Sequence, residues 1–178
     1  MLATLITHPL TPCAALERVE VEVVRPSAAK LTLTYAAIGA ISDVRLPLLA
    51  TPTRADDLWR ATCFEAFLRD SESDAYLEFN FSSSGEWAAY RFGGYRAGMS
   101  RASGIAQPVI ETRAAADRFE LRALVDLGGF TPGPLALSAV IEEAGGVKSY
   151  WALAHPEGKP DFHHSAGFIF NLAAPERP

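Results

Sequence analysis

The strongest constraint in this chain is a period-2 alternation of apolar and polar residues that recurs along its length. In "RVEVEVV", Val19, Val21 and Val23 fall on one side and Glu20 and Glu22 on the other. "KLTLTYA" sets Leu31, Leu33 and Tyr35 against Thr32 and Thr34, and "RFELRALV" sets Phe119, Leu121, Ala123 and Val125 against Arg118, Glu120 and Arg122. "TCFEAFL", "AYLEFNFS", "LALSAVIEE" and "KSYWALAH" extend the series. Side chains alternate sides along a strand, so each run reads as a strand with one face in a core. The runs are divided by turn-forming clusters: Arg25-Pro-Ser, Asp70-Ser-Glu-Ser-Asp, Ser82-Ser-Ser-Gly, Gly93-Gly, Thr131-Pro-Gly-Pro and Gly145-Gly. Many short strands with Gly/Pro turns predict an all-β, antiparallel, jelly-roll-like β-sandwich. Helical pattern is scarce, and "TRADDLWRATC" has room for one helical turn before its strand. The last strand is expected at "GFIFNL", followed by a frayed "AAPERP" tail.

With 178 residues, one domain is expected over 1–178, its core spanning about 15–173. The net charge of −5 and the absence of any Lys/Arg run argue against a nucleic-acid partner. No apolar stretch approaches the roughly 20 residues that span a bilayer. The N-terminus lacks a basic segment followed by an apolar one, so the expectation is a cytoplasmic protein with no membrane partner. Two cysteines far apart, Cys13 and Cys63, give neither a disulfide framework nor a Cys-based zinc site. Nothing in the chain sets an oligomeric state.

Candidate ligand-facing residues come from strand faces whose polar side is chemically unusual. "YLEFNFS" carries Tyr76, Glu78 and Asn80 on one side, and the preceding strand carries Cys63, Glu65 and Phe67. A hairpin through "RDSESDA" places Glu65 and Glu78 on the same sheet face, where two carboxylates repel unless something separates them. A cross-strand ion-paired, solvated face is the plain alternative. "GEWAAYRFGGYRAGM" supplies Trp87, Tyr90, Phe92 and Tyr95 with Arg91 and Arg96 interleaved. Alternation separates Trp87 and Arg91 from Tyr90 and Phe92. The first pair is taken as ligand-facing and the second as core. Finally, residues 151–168, "WALAHPEGKPDFHHSAGF", hold three of the chain's four histidines. Pro156 ends the strand that begins there, and "PEGKPDFHH" is expected as a rim loop, where function is commonly carried. It adds Trp151, His155, Lys159, Asp161 and His163.

Three segments together, "DLWRATCFEAFL", "YLEFNFSSSGEWAAYRF" and "YWALAHPEGKPDFHHSAGF", resemble the DOMON-like superfamily, in its bacterial branch allied to family 9 carbohydrate-binding modules. The resemblance implies a jelly-roll sandwich that binds a small ligand, a sugar or a haem, on one sheet face. It also implies that Trp59 and Trp151 correspond to the two tryptophans between which such modules hold a sugar. Cys63 stands close to a position where those modules often carry Asp.

The expected function is therefore non-catalytic binding of a carbohydrate or similar polyhydroxylated ligand. The expected ligand-binding set is Trp59, Glu65, Glu78, Asn80, Trp87, Arg91, Trp151, His155, Lys159, Asp161 and His163. No cofactor is expected. A haem module, with Met99, His155, His163 or His164 as axial ligands, is an alternative without any C-x-x-C-H attachment motif. An enzyme using the His and Glu residues is another, although no nucleophile elbow, phosphate loop or metal-ligand spacing is present. "HH" with Asp161 could meet a metal only in a loop, since adjacent strand residues point to opposite faces. A protein-interaction module is the fourth reading. No catalytic residue and no metal ligand is assigned.

Overall fold

The computed structural model describes residues 1–172 and Pro175. The expected frayed tail thus falls, Pro175 apart, outside the described residues. Eleven strands are present: β1 (Leu2–Thr7), β2 (Leu16–Ser27), β3 (Lys30–Gly39), β4 (Cys63–Asp70), β5 (Tyr76–Ser82), β6 (Trp87–Phe92), β7 (Ser100–Arg101), β8 (Val109–Ala114), β9 (Arg118–Asp126), β10 (Pro132–Glu142) and β11 (Lys148–Ala152). They form one antiparallel sheet in the order β7-β6-β5-β4-β10-β11-β1-β2-β3-β9-β8. The all-β antiparallel sandwich read from the sequence is what the chain forms.

The sheet folds over at β1. Its first half, Leu2 to Leu5, pairs with β2, and Ile6 and Thr7 pair with β11. One strand therefore serves two leaves: β1-β2-β3-β9-β8 on one side, and β1-β11-β10-β4-β5-β6-β7 on the other. The leaves bury their facing side chains as the alternation requires. Val19, Val21, Val23, Leu31, Leu33, Leu121 and Val125 come from the first leaf. Phe64, Ala66, Leu68, Leu77, Phe79, Phe81, Leu135 and Leu137 come from the second. Tyr35 reaches across this core, its ring 5.2 Å from that of Phe64 and its hydroxyl donating to the Glu65 carbonyl oxygen at 2.6 Å.

The second leaf is buried on both faces. Every residue of β5 and the first six of β4 are buried. Its outer face carries a second apolar cluster of Phe67, Tyr76, Ala88, Tyr90, Phe92 and Ala136, roofed by Phe168. The roof belongs to the segment after β11, residues 153–172. This strap contains the 3₁₀ turn Ser165–Gly167 and bonds the sheet backbone through an isolated bridge between Phe170 and Leu135 and through the Leu153 N–H, which donates to the Leu137 carbonyl. The expected last strand at "GFIFNL" is corrected accordingly. Phe168 turns into the outer cluster, and within "GFIFNL" the bridge at Phe170 is the pairing with β10. The helical turn expected near "TRADDLWRATC" is the 3₁₀ turn Leu58–Arg60.

Two hairpins set the register of the outer face. Between β4 and β5, the Asp70 carboxylate accepts from the Glu72 amide and the Ser73 hydroxyl and shapes the turn. Between β5 and β6, Gly85 takes φ 88°, a left-handed conformation that costs glycine little. Glu65 consequently pairs with Asn80, Phe67 with Glu78, and Glu78 with Tyr90.

Because the Tyr35 hydroxyl is fully buried, Tyr35→Phe leaves a backbone carbonyl short of a donor. The expected cost is about 1–2 kcal/mol. Urea denaturation checks this, and a change within experimental error would show that the bond contributes nothing net.

Candidate functional site

A cleft of about 850 Å³ opens on the outer face of the second leaf, between the sheet, the Leu58–Arg60 turn, the β6–β7 connection and the strap. Its floor is the polar side of β4 and β5. Glu65 is 3 % exposed and Glu78 is 7 % exposed, and both line the cleft. Tyr90, Phe92, Tyr150 and Phe162 supply aromatic walls, and Trp59 stands at the side, 48 % exposed.

The floor is a hydrogen-bonded chain. The Asn80 amide donates to Glu78 Oε1 at 2.7 Å, and the Cys63 thiol lies 3.7 Å from Asn80 Oδ1. The Ser138 hydroxyl donates to Glu65 Oε2 at 3.4 Å. Burial pushes the Glu65 carboxyl well up from its ordinary value, and the Glu78 charge raises it further. Burial also raises Glu78, against the opposing pull of Asn80 and Arg96. Two carboxyls this close in low dielectric disfavour a double negative charge, so the pair tends to retain a proton.

His163 closes the floor from above. Its Nδ1 is 2.8 Å from the Tyr76 hydroxyl, which in turn accepts the Arg96 backbone N–H at 3.3 Å. The Tyr76 hydroxyl and Nδ1 share one hydrogen bond whose direction follows the imidazole tautomer, and Nε2 lies 3.9 Å from Glu78 Oε2. Burial, with the Arg96 charge, pushes the His163 pKa down to about 4. The strap is pinned by Asp161, whose carboxylate accepts from the Tyr95 hydroxyl at 2.6 Å, from Arg96 at 2.8 Å and from the His163 backbone N–H at 3.1 Å. At the other wall, the Tyr90 hydroxyl donates to Asp56 at 2.7 Å, and Arg101 pairs with the same carboxylate.

The structure distributes the sequence-derived candidates unevenly. Trp59, Glu65, Glu78, Lys159 and His163 line the cleft. Asn80 lies beneath it as the partner of Glu78, and Asp161 holds the strap. Trp87 and Trp151 are corrected: both lie in the core between the leaves, 5 % and 4 % exposed. Trp87 is covered by the Arg54 guanidinium, 4.5 Å from its ring, and Trp151 donates its indole N–H to Ser149. Arg91 is corrected with them. It shares the parity of Trp87 and lies over Phe130, 5.6 Å from the ring centroid, away from the cleft. His155 sits at the β1–β11 corner instead, where its Nε2–H donates to the Ile6 carbonyl at 2.9 Å and its ring meets His8 edge-on. Of the other two histidine or methionine positions considered for haem, Met99 lines the cleft, while His164 caps the Ser165–Gly167 turn. Among the described residues no cluster of three or more His, Cys, Asp or Glu side chains could hold a metal ion.

The alternation within "WAAYRF" had the right parity and the wrong side. Register was the missing signal, because Tyr90 stands directly opposite Glu78 and so must share its face. Tyr150 follows by the same logic, opposite Val140, which is opposite Cys63.

No family model matches the chain, and no curated protein matches its sequence. Among solved structures it is similar to a candidate carbohydrate-binding protein from Bacteroides uniformis. The TM-score is 0.67 at 16 % identity, covering 94 % of this chain and 84 % of that one. It is also similar to a family 9 carbohydrate-binding module from Caldicellulosiruptor kristjanssonii in complex with cellotriose. There the TM-score is 0.50 at 11 % identity, covering 90 % and 76 % of the two chains. At such identities the likeness is one of fold: the chain shares the sandwich of these proteins.

The ionisable floor gives stability a pH dependence of defined sign. The folded His163 resists protonation, so its contribution is fully present above the unfolded value of 6.5 and is lost as pH falls toward about 4. The full shift corresponds to about 3 kcal/mol. The Glu65 carboxyl acts oppositely, favouring the fold below its unfolded value of 4.5 and opposing it as pH rises. Urea titrations should show His163→Asn losing its deficit relative to wild type between about pH 7 and pH 4. Glu65→Gln should gain on wild type as pH rises above about 4.5. Parallel pH curves for either variant would contradict the assignment.

Proposed function

We propose that this protein is a non-catalytic binding module that holds a small carbohydrate, or a similar polyhydroxylated ligand, in the cleft over β4, β5 and β6. The observation that carries the reading is an aromatic-walled cleft whose floor is made of buried, hydrogen-bonding side chains. A sugar has apolar C–H faces that stack on rings and a rim of hydroxyls that need directional partners. The walls offer Trp59, Tyr90, Phe92, Tyr150 and Phe162 for the first requirement. For the second, Glu78 offers carboxyl oxygens, His163 an imidazole nitrogen, and Arg96 and Lys159 are cationic donors. The volume falls within the usual range of about 300–1,000 Å³ for small-ligand sites.

The fold likeness supports this reading, because one of the similar structures is described as a carbohydrate-binding module with cellotriose bound. The DOMON-like motifs of the sequence agree with it. The clasp differs from the one that the resemblance implied, however. With Trp151 in the core, Trp59 has Tyr150 and Phe162, rather than a second tryptophan, among its fellow cleft-lining rings.

That arrangement makes intrinsic fluorescence a selective probe. Trp87 and Trp151 are shielded, so long-wavelength emission reports on Trp59. Mono- and oligosaccharides at millimolar concentration are expected to change that emission, and Trp59→Phe should abolish the change. Trp59→Ala is expected to weaken binding about tenfold, or about 1.4 kcal/mol. No spectral or calorimetric response to any saccharide would refute the carbohydrate reading.

A further inference from the structure

The cleft floor contains more buried carboxylate than its own partners balance. Glu65 and Glu78 are diagonal neighbours on one face, each more than nine-tenths buried. Their side-chain hydrogen bonds come from neutral groups, the Ser138 hydroxyl and the Asn80 amide. Among the described residues neither forms an ion pair with Lys or Arg, and the imidazole nearest Glu78 is too far to hydrogen-bond. A structural role alone explains this poorly, because buried carboxyls with so few partners cost stability.

We infer that the cleft takes a ligand bearing a protonated amine, seated between Glu65 and Glu78 beside Tyr90 and Phe92. The sugar frame of that ligand rests on the function proposed above, which makes it an amino sugar with a free amine; the ammonium itself does not rest on it. A hydroxyl brings one donor and no charge. An ammonium brings three donors and a full positive charge, which the two carboxyls can share. A metal ion is a poorer occupant, since two carboxyls are the whole ligating set there.

The other groups around the pair are compatible with such a guest. Arg96, from the β6–β7 connection, opposes a second cation, but Asp161 neutralises it at 2.8 Å. Arg101 is likewise paired with Asp56. Lys159 lies on the exposed strap at the cleft margin. Burial keeps Cys63 beneath the floor, Tyr76 and Tyr90 on it, and Tyr35 behind it uncharged at neutral pH, and it keeps His163 above the floor neutral. The charge at the floor is thus set by the carboxyl pair and its guest. In the empty cleft burial and the mutual repulsion of the two carboxyls favour a shared proton. When the ammonium enters, that carboxyl O–H proton passes to the buffer, and the ammonium N–H groups bond both carboxylates. Affinity therefore rises with pH until the amine of the ligand itself deprotonates.

Isothermal titration calorimetry with glucosamine, glucose, N-acetylglucosamine and cyclohexylamine separates the two readings. Run in two buffers of different ionisation enthalpy, it also counts released protons. The expected result is glucosamine binding at least about tenfold tighter than glucose or N-acetylglucosamine, with net proton release. Glu65→Gln and Glu78→Gln should each reduce the preference for glucosamine over glucose to less than about threefold. Equal affinity for the three sugars overturns the ammonium inference and leaves carbohydrate binding standing. Binding of cyclohexylamine with proton release, and of no sugar, upholds the ammonium and overturns the sugar frame. No heat with any of the four overturns both. The wild-type comparison decides these outcomes even where a variant fails to fold.

Discussion

The structure depends on the second leaf being buried on both faces. A sheet of a sandwich ordinarily leaves its outer side to water and fills it with Thr, Lys and Glu. Here β4 and β5 have no such side, because residues 153–172 return over them and seat Phe168 among Phe67, Tyr76 and Phe92. Every polar atom on that outer face must then find a partner within the protein or in a guest. The Asn80–Glu78 bond, the Ser138–Glu65 bond and the Tyr76–His163 bond follow from that requirement. So does the cleft, which is the part of the face that the strap does not fill.

The same covering accounts for the electrostatics. Exposed, Glu65 and Glu78 would be two ordinary surface carboxylates separated by water. Under the strap they interact through low dielectric, and the nearby imidazole loses its ability to charge. The strap is held by polar contacts more than by sheet pairing. Asp161 gathers a phenol, a guanidinium and a backbone amide, while Leu153 and Phe170 bond the backbone of β10. Binding chemistry and strap anchoring therefore share residues: His163 belongs to both.

Much of the architecture was legible because alternation is a local property. Runs such as "RVEVEVV" and "RFELRALV" announce a one-sided strand whatever lies elsewhere in the chain. β1 and β8 were not read, since "LATLIT" and "VIETRA" alternate too weakly, and the short pair at β7 is held by its neighbour alone. The shared face of Glu65 and Glu78 was legible too, because a tight hairpin fixes parity. Which side of β6 joins that face was not, since both of its sides carry aromatic residues and the choice rests on hairpin register. Trp151 and Trp87 show the limit most clearly. A tryptophan beside polar residues suits a ligand platform or a core equally well, and only the sense of the strand separates the two.

The sharing of β1 between the leaves has a consequence for how the chain reaches this fold. Its sixth and seventh residues pair with Ala152 and Trp151, so the sandwich closes through contacts that span nearly the whole sequence. The hairpin of β2 and β3 can form early from local contacts. The leaf that carries the cleft must wait for β10 and β11 before β1 has a second partner. Loop-closure entropy of that size places the chain among slow, late-closing folds. Until then the apolar outer face of β4 and β5 stands open. The strap that borders the cleft is thus also the cover over the apolar outer face of β4 and β5, a surface that aggregates when exposed.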